Sequence, residues 1–259
     1  MSITTLENQL VHYEVTGHGN PVVFVHGWHG SWRYWWSTMQ ALSARNRTYA
    51  FDLWGFGDSS NNSNAYSIDA YVDMLYGFLD ALAIVKPVTL VGHSMGAAVA
   101  LRYTQKFPDD VKKVAAISMP VKGVYMHDRL MGRDPFSNVG RAPGLSWPEV
   151  DNEVRKADVN AVTSLVDEIR QNDFIKDIEN CSKPLMLIFG KQDQIVKEPG
   201  NSLPETNHSR TYISLDCSHF PMLEDQLKFN RLVLDFVLAE NDADLQELSP
   251  KDHWIRRNR

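Results

Sequence analysis

The sequence predicts an α/β fold with a mostly parallel, doubly wound sheet. Short apolar runs with the length of buried strands alternate along the chain with longer segments of helical spacing. This alternation is typical of βαβ crossovers, which join parallel strands through a helix. The chain has 259 residues, of which 43% are hydrophobic, so it can bury the core of one enzyme-sized domain.

The individual elements follow from local patterns taken in chain order. Residues 3–15 predict a hairpin at one sheet edge that turns near Asn8 and Gln9. Strands are then expected at residues 22–25, 48–51, 88–91, 114–117, 184–189 and 210–215. Helices are expected near residues 32–44 and 68–82 and over residues 97–106.

Between Pro120 and Asn180 the strand periodicity stops, which predicts a helical insertion. Apolar residues in its second half recur at three- to four-residue spacing, as Val150, Val154, Ala157, Ala161, Leu165 and Ile169. We interpret this stripe as a face that packs onto the rest of the protein. Between Glu149 and Glu179, nine acidic residues stand against four basic ones, an excess typical of a solvated face.

Composition and charge argue against several other classes of protein. The formal net charge of −6 argues against general nucleic-acid binding. The two cysteines, Cys181 and Cys217, lack C-x-x-C spacing and are too few for a disulfide framework, which fits a reducing, cytoplasmic location. No signal peptide is evident and no apolar run has membrane-spanning length, so we expect no stable membrane insertion. Nothing in the sequence selects an oligomeric state.

The pentapeptide Gly92-His93-Ser94-Met95-Gly96 is the strongest chemical signal in the chain. It lies between an apolar run and a helix-compatible segment, which is the context of a nucleophile elbow. Glycines on both sides of Ser94 allow neighbouring backbones to approach closely. A helix N-terminus behind the serine favours negative charge on a bound oxyanion. This pattern predicts that Ser94 is a catalytic nucleophile.

An orienting acid and a base are expected downstream, in the chain order nucleophile, acid, histidine. Asp193 and His219 each follow a predicted strand, so both lie at the carboxyl edge of the sheet, where open α/β sheets collect functional groups. Asp216 and Asp225 are the rival acids, but they flank His219 too closely to reach behind its ring comfortably. The sequence therefore favours Asp193 and His219 as the partners of Ser94.

Five motifs in this order make the chain resemble the α/β-hydrolase family in its serine-nucleophile, capped, soluble bacterial-type form. The resemblance covers about residues 10–238 and rests on segments 26–28, 52–59, 92–96, 190–193 and 218–220. It implies an inserted helical cap, with the α/β-hydrolase core at 1–119 and 181–240, the cap at 120–180 and a charged tail at 241–259. It also implies that the backbone N–H groups of Trp28 and Met95 form the oxyanion hole.

The residue types explain the chemistry that this resemblance implies. A serine hydroxyl is a weak nucleophile at neutral pH unless a base removes its proton during attack. We expect His219 to be that base and Asp193 to orient its ring, with no metal or organic cofactor. The expected partner is a small ester-type molecule, and the tentative substrate contacts are Trp32, Met126, Phe136, Trp147 and Phe220.

Other polar residues near these motifs favour structural roles. We interpret His26 as a histidine that binds loop backbone near the oxyanion hole. Asp52 is expected to organise the turn after its strand, because glycines and a serine follow it closely. His93 stands beside Ser94 on a strained turn, and we expect its ring to point elsewhere.

The resulting prediction is a carboxylesterase-like serine hydrolase that cleaves a small-to-medium neutral ester or lactone through an acyl-enzyme. Carbon–carbon bond hydrolysis and perhydrolase or haloperoxidase-like activity stay open as alternatives on the same residues. His93 departs from the asparagine that usually precedes the serine in carbon–carbon bond hydrolases of this family. A slow-turnover receptor for a small molecule is the alternative outside catalysis, because such receptors of this fold keep the same three residues.

Overall fold

A sheet of eight strands forms the centre of the computed structural model, which describes residues 2–62, 66–126, 147–205 and 209–250. Within these residues the strand order is β1-β2-β4-β3-β5-β6-β7-β8. The strands are β1 (Ser2–Leu6), β2 (Gln9–Gly17), β3 (Asn20–Val25), β4 (Asn46–Phe51), β5 (Val88–His93), β6 (Val111–Ile117), β7 (Leu185–Gly190) and β8 (Arg210–Leu215). From β4 to β8 across the sheet, every neighbouring pair is parallel.

An antiparallel hairpin forms one edge of the sheet, as the sequence predicts. β1 pairs with β2 so that Leu6 lies opposite Gln9, and β2 also runs antiparallel to β4. The turn consists of Glu7 and Asn8, whose φ angles are 51° and 62°. Two consecutive positive φ angles match the right-handed twist of the flanking strands. The turn therefore lies one residue earlier than expected.

Helices cover both faces of the sheet because successive connections between strands run in opposite directions along the sheet. The α-helices of the described residues are α1 (Trp36–Leu42), α2 (Ile68–Ala81), α3 (Met95–Lys106), α4 (Pro148–Val154), α5 (Val159–Gln171), α6 (Ile175–Glu179), α7 (Pro221–Glu224), α8 (Gln226–Leu238) and α9 (Asp242–Gln246). The β3-to-β4 connection moves toward the hairpin, whereas the next two connections move away from it. Right-handed crossovers then put α1 on one face and α2 and α3 on the other. The predicted doubly wound α/β fold is confirmed.

The helix expected near residues 32–44 is shorter and composite. A 3₁₀ turn occupies Trp32–Trp35, and α1 follows it directly. The Trp32 N–H donates to an Asp52 carboxylate oxygen at 2.8 Å, and Ser31 Oγ accepts from Arg33 N at 3.2 Å. The first contact ties the turn to the end of β4, and the second caps the start of the turn. Short 3₁₀ turns of this kind are common where an α-helix begins.

The described residues of the predicted cap are 120–126, which contain a 3₁₀ turn at Gly123–Tyr125, and 147–180, which contain α4, α5 and α6. Asp158 interrupts the predicted stripe, because its carboxylate accepts from Asn160 N and starts α5 there. The stripe residues Val150, Ala161, Leu165 and Ile169 are buried. Residues 127–146, which include Phe136, lie outside the described residues. The limits assigned to core, cap and tail stay predictions.

Several acidic side chains of this segment contact the core instead of forming a purely solvated face. Glu153 Oε2 lies 3.3 Å from Arg33 Nη1, and its side chain is 1% exposed. Asp158 accepts from the Tyr66 hydroxyl at 2.8 Å, and a Glu168 oxygen accepts from a backbone N–H at the start of α2 at 2.9 Å. Burial raises the pKa of Glu168. The interpretation of these acids as solvated is therefore wrong for the three that meet partners on α2 and the preceding loops.

The end of the described chain packs on the sheet edge. Leu245 of α9 is buried, and Thr211 Oγ1 of β8 donates to its carbonyl at 3.0 Å. Among the helices that the structure describes, none combines the length and the apolar character needed to cross a bilayer.

Candidate active site

Ser94 lies at a sharp turn between β5 and α3, with φ 52° and ψ −120°. This backbone conformation is strained for a residue with a side chain and persists only where the surroundings enforce it. A Cβ atom on Gly92 would lie 2.4 Å from Gly96 O, and one on Gly96 would lie 2.3 Å from Val25 O. Glycine is required at both positions, because any side chain would collide with backbone. The strand, turn and helix expected of a nucleophile elbow are therefore all present.

Asp193 and His219 form a buried pair at the ends of β7 and β8. Asp193 Oδ2 lies 2.8 Å from His219 Nδ1, while Oδ1 accepts from Ile195 N at 2.7 Å and Val196 N at 2.9 Å. A Cβ atom on Gly190 would lie 2.3 Å from the Ser218 carbonyl oxygen, so only glycine lets the two loops approach. Since the carboxylate can only accept, the proton of a neutral His219 ring is on Nδ1. Nε2 is then free to accept a proton.

The loop that carries His219 is held directly against the elbow. The His219 carbonyl oxygen lies 2.9 Å from His93 Nε2 and accepts from Ser118 Oγ at 3.2 Å. The His93 and His219 rings have centroids 4.6 Å apart. Among the described residues, no hydrogen bond joins the Ser94 hydroxyl to the His219 ring. Catalytic hydrogen bonds are often long in unliganded enzymes and shorten when substrate binds.

The loop that carries Trp28 runs beside the elbow. A Cβ atom on Gly27 would lie 2.8 Å from Ser94 Cβ, and Gly30 N donates to Gly27 O at 3.1 Å to close a tight turn. Met95 is the first residue of α3, where backbone N–H groups have no acceptor within the helix. This arrangement is compatible with an oxyanion hole between the two loops, and its assignment to Trp28 N and Met95 N stays a prediction.

His93 and Tyr34 form a buried polar contact beneath the elbow. The Tyr34 hydroxyl lies 3.1 Å from His93 Nδ1, and it also accepts from Gly27 N at 2.7 Å. Burial, together with the neighbouring His219, lowers the pKa of His93 well below 6.5, and burial raises the pKa of Tyr34 well above 10. Both side chains are therefore neutral at pH 7. As expected, the His93 ring points away from Ser94.

Sequence reasoning missed the contacts of Tyr34 and Ser118. No role was predicted for Tyr34, although its 3₁₀ turn lies at the same edge of the sheet as Ser94. Ser118 follows the last residue of β6 and has a positive φ of 48°, which is uncommon for serine. A polar residue directly after a strand that neighbours β5 is the signal that could have found it.

His26 binds backbone on both sides, as interpreted from the sequence. Its Nδ1 donates to Gly27 O at 2.8 Å, and its Nε2 accepts from Leu53 N at 2.9 Å. Burial lowers the pKa of His26, although the charge of Asp52 and the bond to Gly27 oppose the shift. A neutral ring thus links the loop after β3 to the end of β4.

Asp52 also has the turn-organising contacts that the sequence suggests. Besides its bond to Trp32 N, it accepts from Asp58 N at 3.0 Å. Its Oδ2 atom additionally lies 3.1 Å from Nδ1 of His12 on β2. A Cβ atom on Gly57 would lie 2.3 Å from the same carboxylate, so the turn wraps closely around it.

The rival acids near His219 have other partners. Asp216 accepts from Gln192 Nε2 at 2.8 Å, and Asp225 accepts from Lys228 N at 3.2 Å at the start of α8. The structure therefore pairs His219 with Asp193 and not with either neighbour.

Two of the tentative substrate contacts lie near this pair. Met126 is buried and forms an isolated bridge with Val196, whose N–H binds Asp193. The Phe220 ring is buried, with centroid distances of 5.0 Å to His219 and 5.1 Å to His93. Phe220 therefore supports the histidine loop from within the protein, whatever contact it makes with a ligand.

The other tentative contacts divide differently. The Trp32 ring packs at 5.8 Å from His12 and 5.9 Å from Trp36, with the Arg33 guanidinium 5.1 Å above it. These contacts place Trp32 on the Asp52 side of its loop, and among the described residues its ring packs against none of the His219 loop. Trp147 is half-buried where α4 begins. Phe136 lies outside the described residues.

Within the part of the chain that the structure describes, one group of side chains has ligand atoms close enough together for a metal ion. Ligand atoms of His12, Asp52 and Asp58 lie within 4.8 Å of one another. However, the Asp58 carboxylate already binds Arg33 at 2.7 Å and Lys156 at 2.8 Å. These two cations lower the pKa of Asp58 to about 2 despite the opposing effect of burial. Cationic neighbours make the group a poor fit for a metal.

The similarities of this chain to known proteins agree with one another. The family model described as "alpha/beta hydrolase fold" matches residues 20–145. The 2-hydroxy-6-oxo-2,4-heptadienoate hydrolase of Pseudomonas putida is 27% identical over 87% of this chain and 91% of that protein. Monoacylglycerol lipase ABHD6 of Homo sapiens is 25% identical over 88% of this chain and 78% of its own.

Solved structures extend this similarity to three dimensions. The enol-lactonase from Burkholderia xenovorans LB400 superimposes with a TM-score of 0.72 at 18% identity, over 92% of this chain and 100% of that chain. At that identity the match concerns the fold alone. Together with the family model and the sequence relatives, it shows that this chain has the alpha/beta hydrolase fold and is similar in sequence to proteins of that family.

Proposed function

We propose that the protein is a serine hydrolase that cleaves a small-to-medium neutral carboxylic ester or lactone through an acyl-enzyme. The observation that carries the proposal is the 2.8 Å contact between Asp193 and His219, held beside an elbow where Ser94 has a φ of 52°. Nucleophile, base and orienting acid are three roles that acyl transfer requires. These residues supply one group for each role.

The proposed reaction begins when Ser94 Oγ attacks the substrate carbonyl carbon. His219 Nε2 takes the hydroxyl proton, and Asp193 stabilises the resulting imidazolium through Nδ1–H. The N–H groups of Trp28 and Met95 bind the oxyanion of the tetrahedral intermediate. His219 returns the proton to the leaving alkoxide, and a water molecule then cleaves the acyl-enzyme by the same steps. Every proton movement uses His219, and no cofactor takes part.

The proposed preference for neutral, apolar substrates rests on the side chains near the site. Met126 is buried beside the Asp193 loop, and Trp28 and Trp147 are half-buried. Apolar and aromatic linings with few polar groups are typical of small-molecule pockets. The acidic excess of the inserted helices adds little to this preference, because several of their carboxylates are paired with the core.

The decisive experiment replaces Ser94 with alanine. We expect kcat on a p-nitrophenyl acyl ester to fall by about 10³–10⁶, because the nucleophile is lost. A fluorophosphonate probe should label the wild type and leave Ser94→Ala unlabelled. Ser118→Ala is the matched control, since Ser118 also follows a strand of the same edge with a positive φ, and it should keep its label. Labelling of Ser94→Ala would refute the assignment.

Carbon–carbon bond hydrolysis is the second candidate. It is favoured by the similarity to the Pseudomonas putida protein, whose name describes the hydrolysis of a heptadienoate with hydroxy and oxo groups. The same serine, histidine and aspartate would serve it, so Ser94→Ala cannot distinguish the two reactions. A panel that contains acyl esters of graded length, lactones and one such dienoate can. The highest kcat/KM on the dienoate would replace the ester proposal with this one.

A receptor that binds a small molecule and turns over slowly is tested by the same panel. Its kcat would stay low on every substrate while one compound bound with high affinity. We expect instead that turnover rises with the best-binding esters.

A further inference from the structure

A hydrogen-bonded path runs beneath the proposed site and joins three separate loops. The Gly27 N–H donates to the Tyr34 hydroxyl at 2.7 Å, which lies 3.1 Å from His93 Nδ1. On the far side of the same ring, His93 Nε2 lies 2.9 Å from the His219 carbonyl oxygen. The path thus connects the loop that carries Trp28, the elbow and the loop that carries the base.

The direction of each hydrogen bond follows from the groups at the two ends. A carbonyl oxygen only accepts, so the proton of the neutral His93 ring is on Nε2. His93 Nδ1 must then accept, and the Tyr34 hydroxyl donates to it. The Tyr34 oxygen in turn accepts from Gly27 N. Since Tyr34 and His93 are each only 1% exposed, water does not compete for these groups.

The two ends of the path adjoin the oxyanion donor and the base, whose separation governs acyl transfer. Gly27 directly precedes Trp28, whose N–H is proposed to bind the oxyanion, and His219 carries the proposed base. Oxyanion donors act at about 2.7–3.1 Å from the developing charge, and a misplacement of about 1 Å can cost about a hundredfold in rate. A link that fixes one loop against the other therefore affects the transition state more than substrate binding.

We propose that Tyr34 and His93 are positioning residues that hold the oxyanion loop in register with the His219 loop. This inference rests on the proposed function, because it assigns Trp28 and His219 their roles there. The inference goes beyond the proposed function because it gives two residues an effect on the rate although neither contacts the substrate.

Simple ring packing is the competing explanation. The Tyr34 ring also packs edge-on against His93 at 5.4 Å and Phe220 at 6.0 Å. Tyr34→Phe keeps the ring and removes only the hydroxyl, so it separates the two explanations. Ser118→Ala is the matched control, because Ser118 Oγ donates to the same His219 carbonyl from outside the path.

The test measures kcat and KM on the best ester of the panel. We expect Tyr34→Phe to lower kcat by about 10–100-fold with KM within threefold of wild type, since oxyanion binding acts in the transition state. The fold-loss of kcat in Ser118→Ala should be at least five times smaller than the fold-loss in Tyr34→Phe. Equal losses in the two variants, an unchanged kcat in Tyr34→Phe, or a change confined to KM would overturn the proposal.

A double-variant cycle keeps the proposal testable if one variant folds poorly. His93→Phe removes both hydrogen bonds of the His93 ring and so interrupts the path, and Tyr34→Phe added to it should lower kcat by less than twofold further. Multiplicative losses would show that the two residues act separately and would overturn the path. Thermal unfolding of each variant confirms that the folded enzyme is being assayed. If wild type neither turns over esters nor accepts the fluorophosphonate label, the proposed function fails first; if it does both, only the positioning role is at stake.

Discussion

Two buried Asp–His pairs are present among the residues that the structure describes, and of these two the Asp193–His219 pair is the one linked to the elbow. Asp193 contacts Nδ1 of His219 at 2.8 Å, and Asp52 contacts Nδ1 of His12 at 3.1 Å. All four residues are buried. By residue type, burial and atom contacted, the two pairs are nearly the same.

They differ in what surrounds the pair. The His219 loop is anchored to the elbow through His93, whereas His12 Nε2 lies 3.6 Å from a carboxylate oxygen of Glu14. Each aspartate also accepts from two backbone N–H groups, but those on Asp193 come from its own loop, whereas Asp52 binds Asp58 N in its own turn and Trp32 N in another loop. A carboxylate that orients an imidazole therefore does not by itself make a base. The second ring nitrogen must face a group whose proton it can take.

The largest effect that separates the pairs is expected from Asp193→Asn. The asparagine can keep an oxygen toward Ile195 N and Val196 N but offers N–H to His219, which disfavours the productive tautomer. We expect kcat on the best ester to fall by about 10³–10⁴ while the enzyme stays folded and fluorophosphonate labelling slows without vanishing. Steady-state kinetics and circular dichroism check this. A near-wild-type rate would remove Asp193 from the proposed mechanism.

Asp52→Asn is expected to lower the stability of the fold and to change kcat little. One oxygen of Asp52 accepts from Asp58 N and contacts His12, and an amide group in its place would repel both donors. We expect the free energy of unfolding to fall by about 2 kcal/mol, the usual scale for buried hydrogen bonds to a charged group. The kcat of the folded enzyme should change less than tenfold. Urea unfolding and kinetics on the same samples test the pair of expectations, and a thousandfold loss of kcat would erase the distinction between the two aspartates.

The fold and the chemical residues were predictable because each depends on local sequence. Buried strands are apolar runs, and a strained serine needs flanking glycines, so β5 and its elbow can be recognised within a few residues. Asp193 and His219 could be chosen because both follow strands, and parallel strands end at one edge. Their contact confirms that they meet, while their catalytic roles stay proposals.

Contacts between distant segments could not be predicted in this way. The bond between Glu168 and the start of α2 joins residues 100 positions apart, and the side chain alone does not reveal its partner. Charge counting therefore gave a solvated face where several carboxylates bind the core. Tyr34 was hidden for the same reason, because its hydroxyl acts only where three loops converge. Trp32, in the same loop, packs on the Asp52 side, and its contact with substrate stays a prediction.

His29, a buried histidine outside both pairs, sharpens the comparison through acid stability. Burial lowers the pKa of His29 to about 4, whereas an unfolded histidine titrates near ~6.5. Between these values the unfolded chain binds more protons, so the free energy of unfolding is full above about pH 6.5 and falls as the pH is lowered toward 4. One such group contributes a slope of up to about 1.4 kcal/mol per pH unit. Below about pH 4 its contribution levels off.

His29→Asn should flatten that slope, and asparagine tolerates the positive φ of 53° at this position. Urea unfolding at several pH values from 7 to 4 measures it, with His18→Asn as the control because His18 is exposed in the turn between β2 and β3. We expect the control to keep the wild-type slope and His29→Asn to lose part of it. Equal slopes for both variants would mean that His29 charges in the folded protein without a penalty. Acid sensitivity would then have to come from other buried groups, such as His26 and His93, whose pKa values burial also lowers.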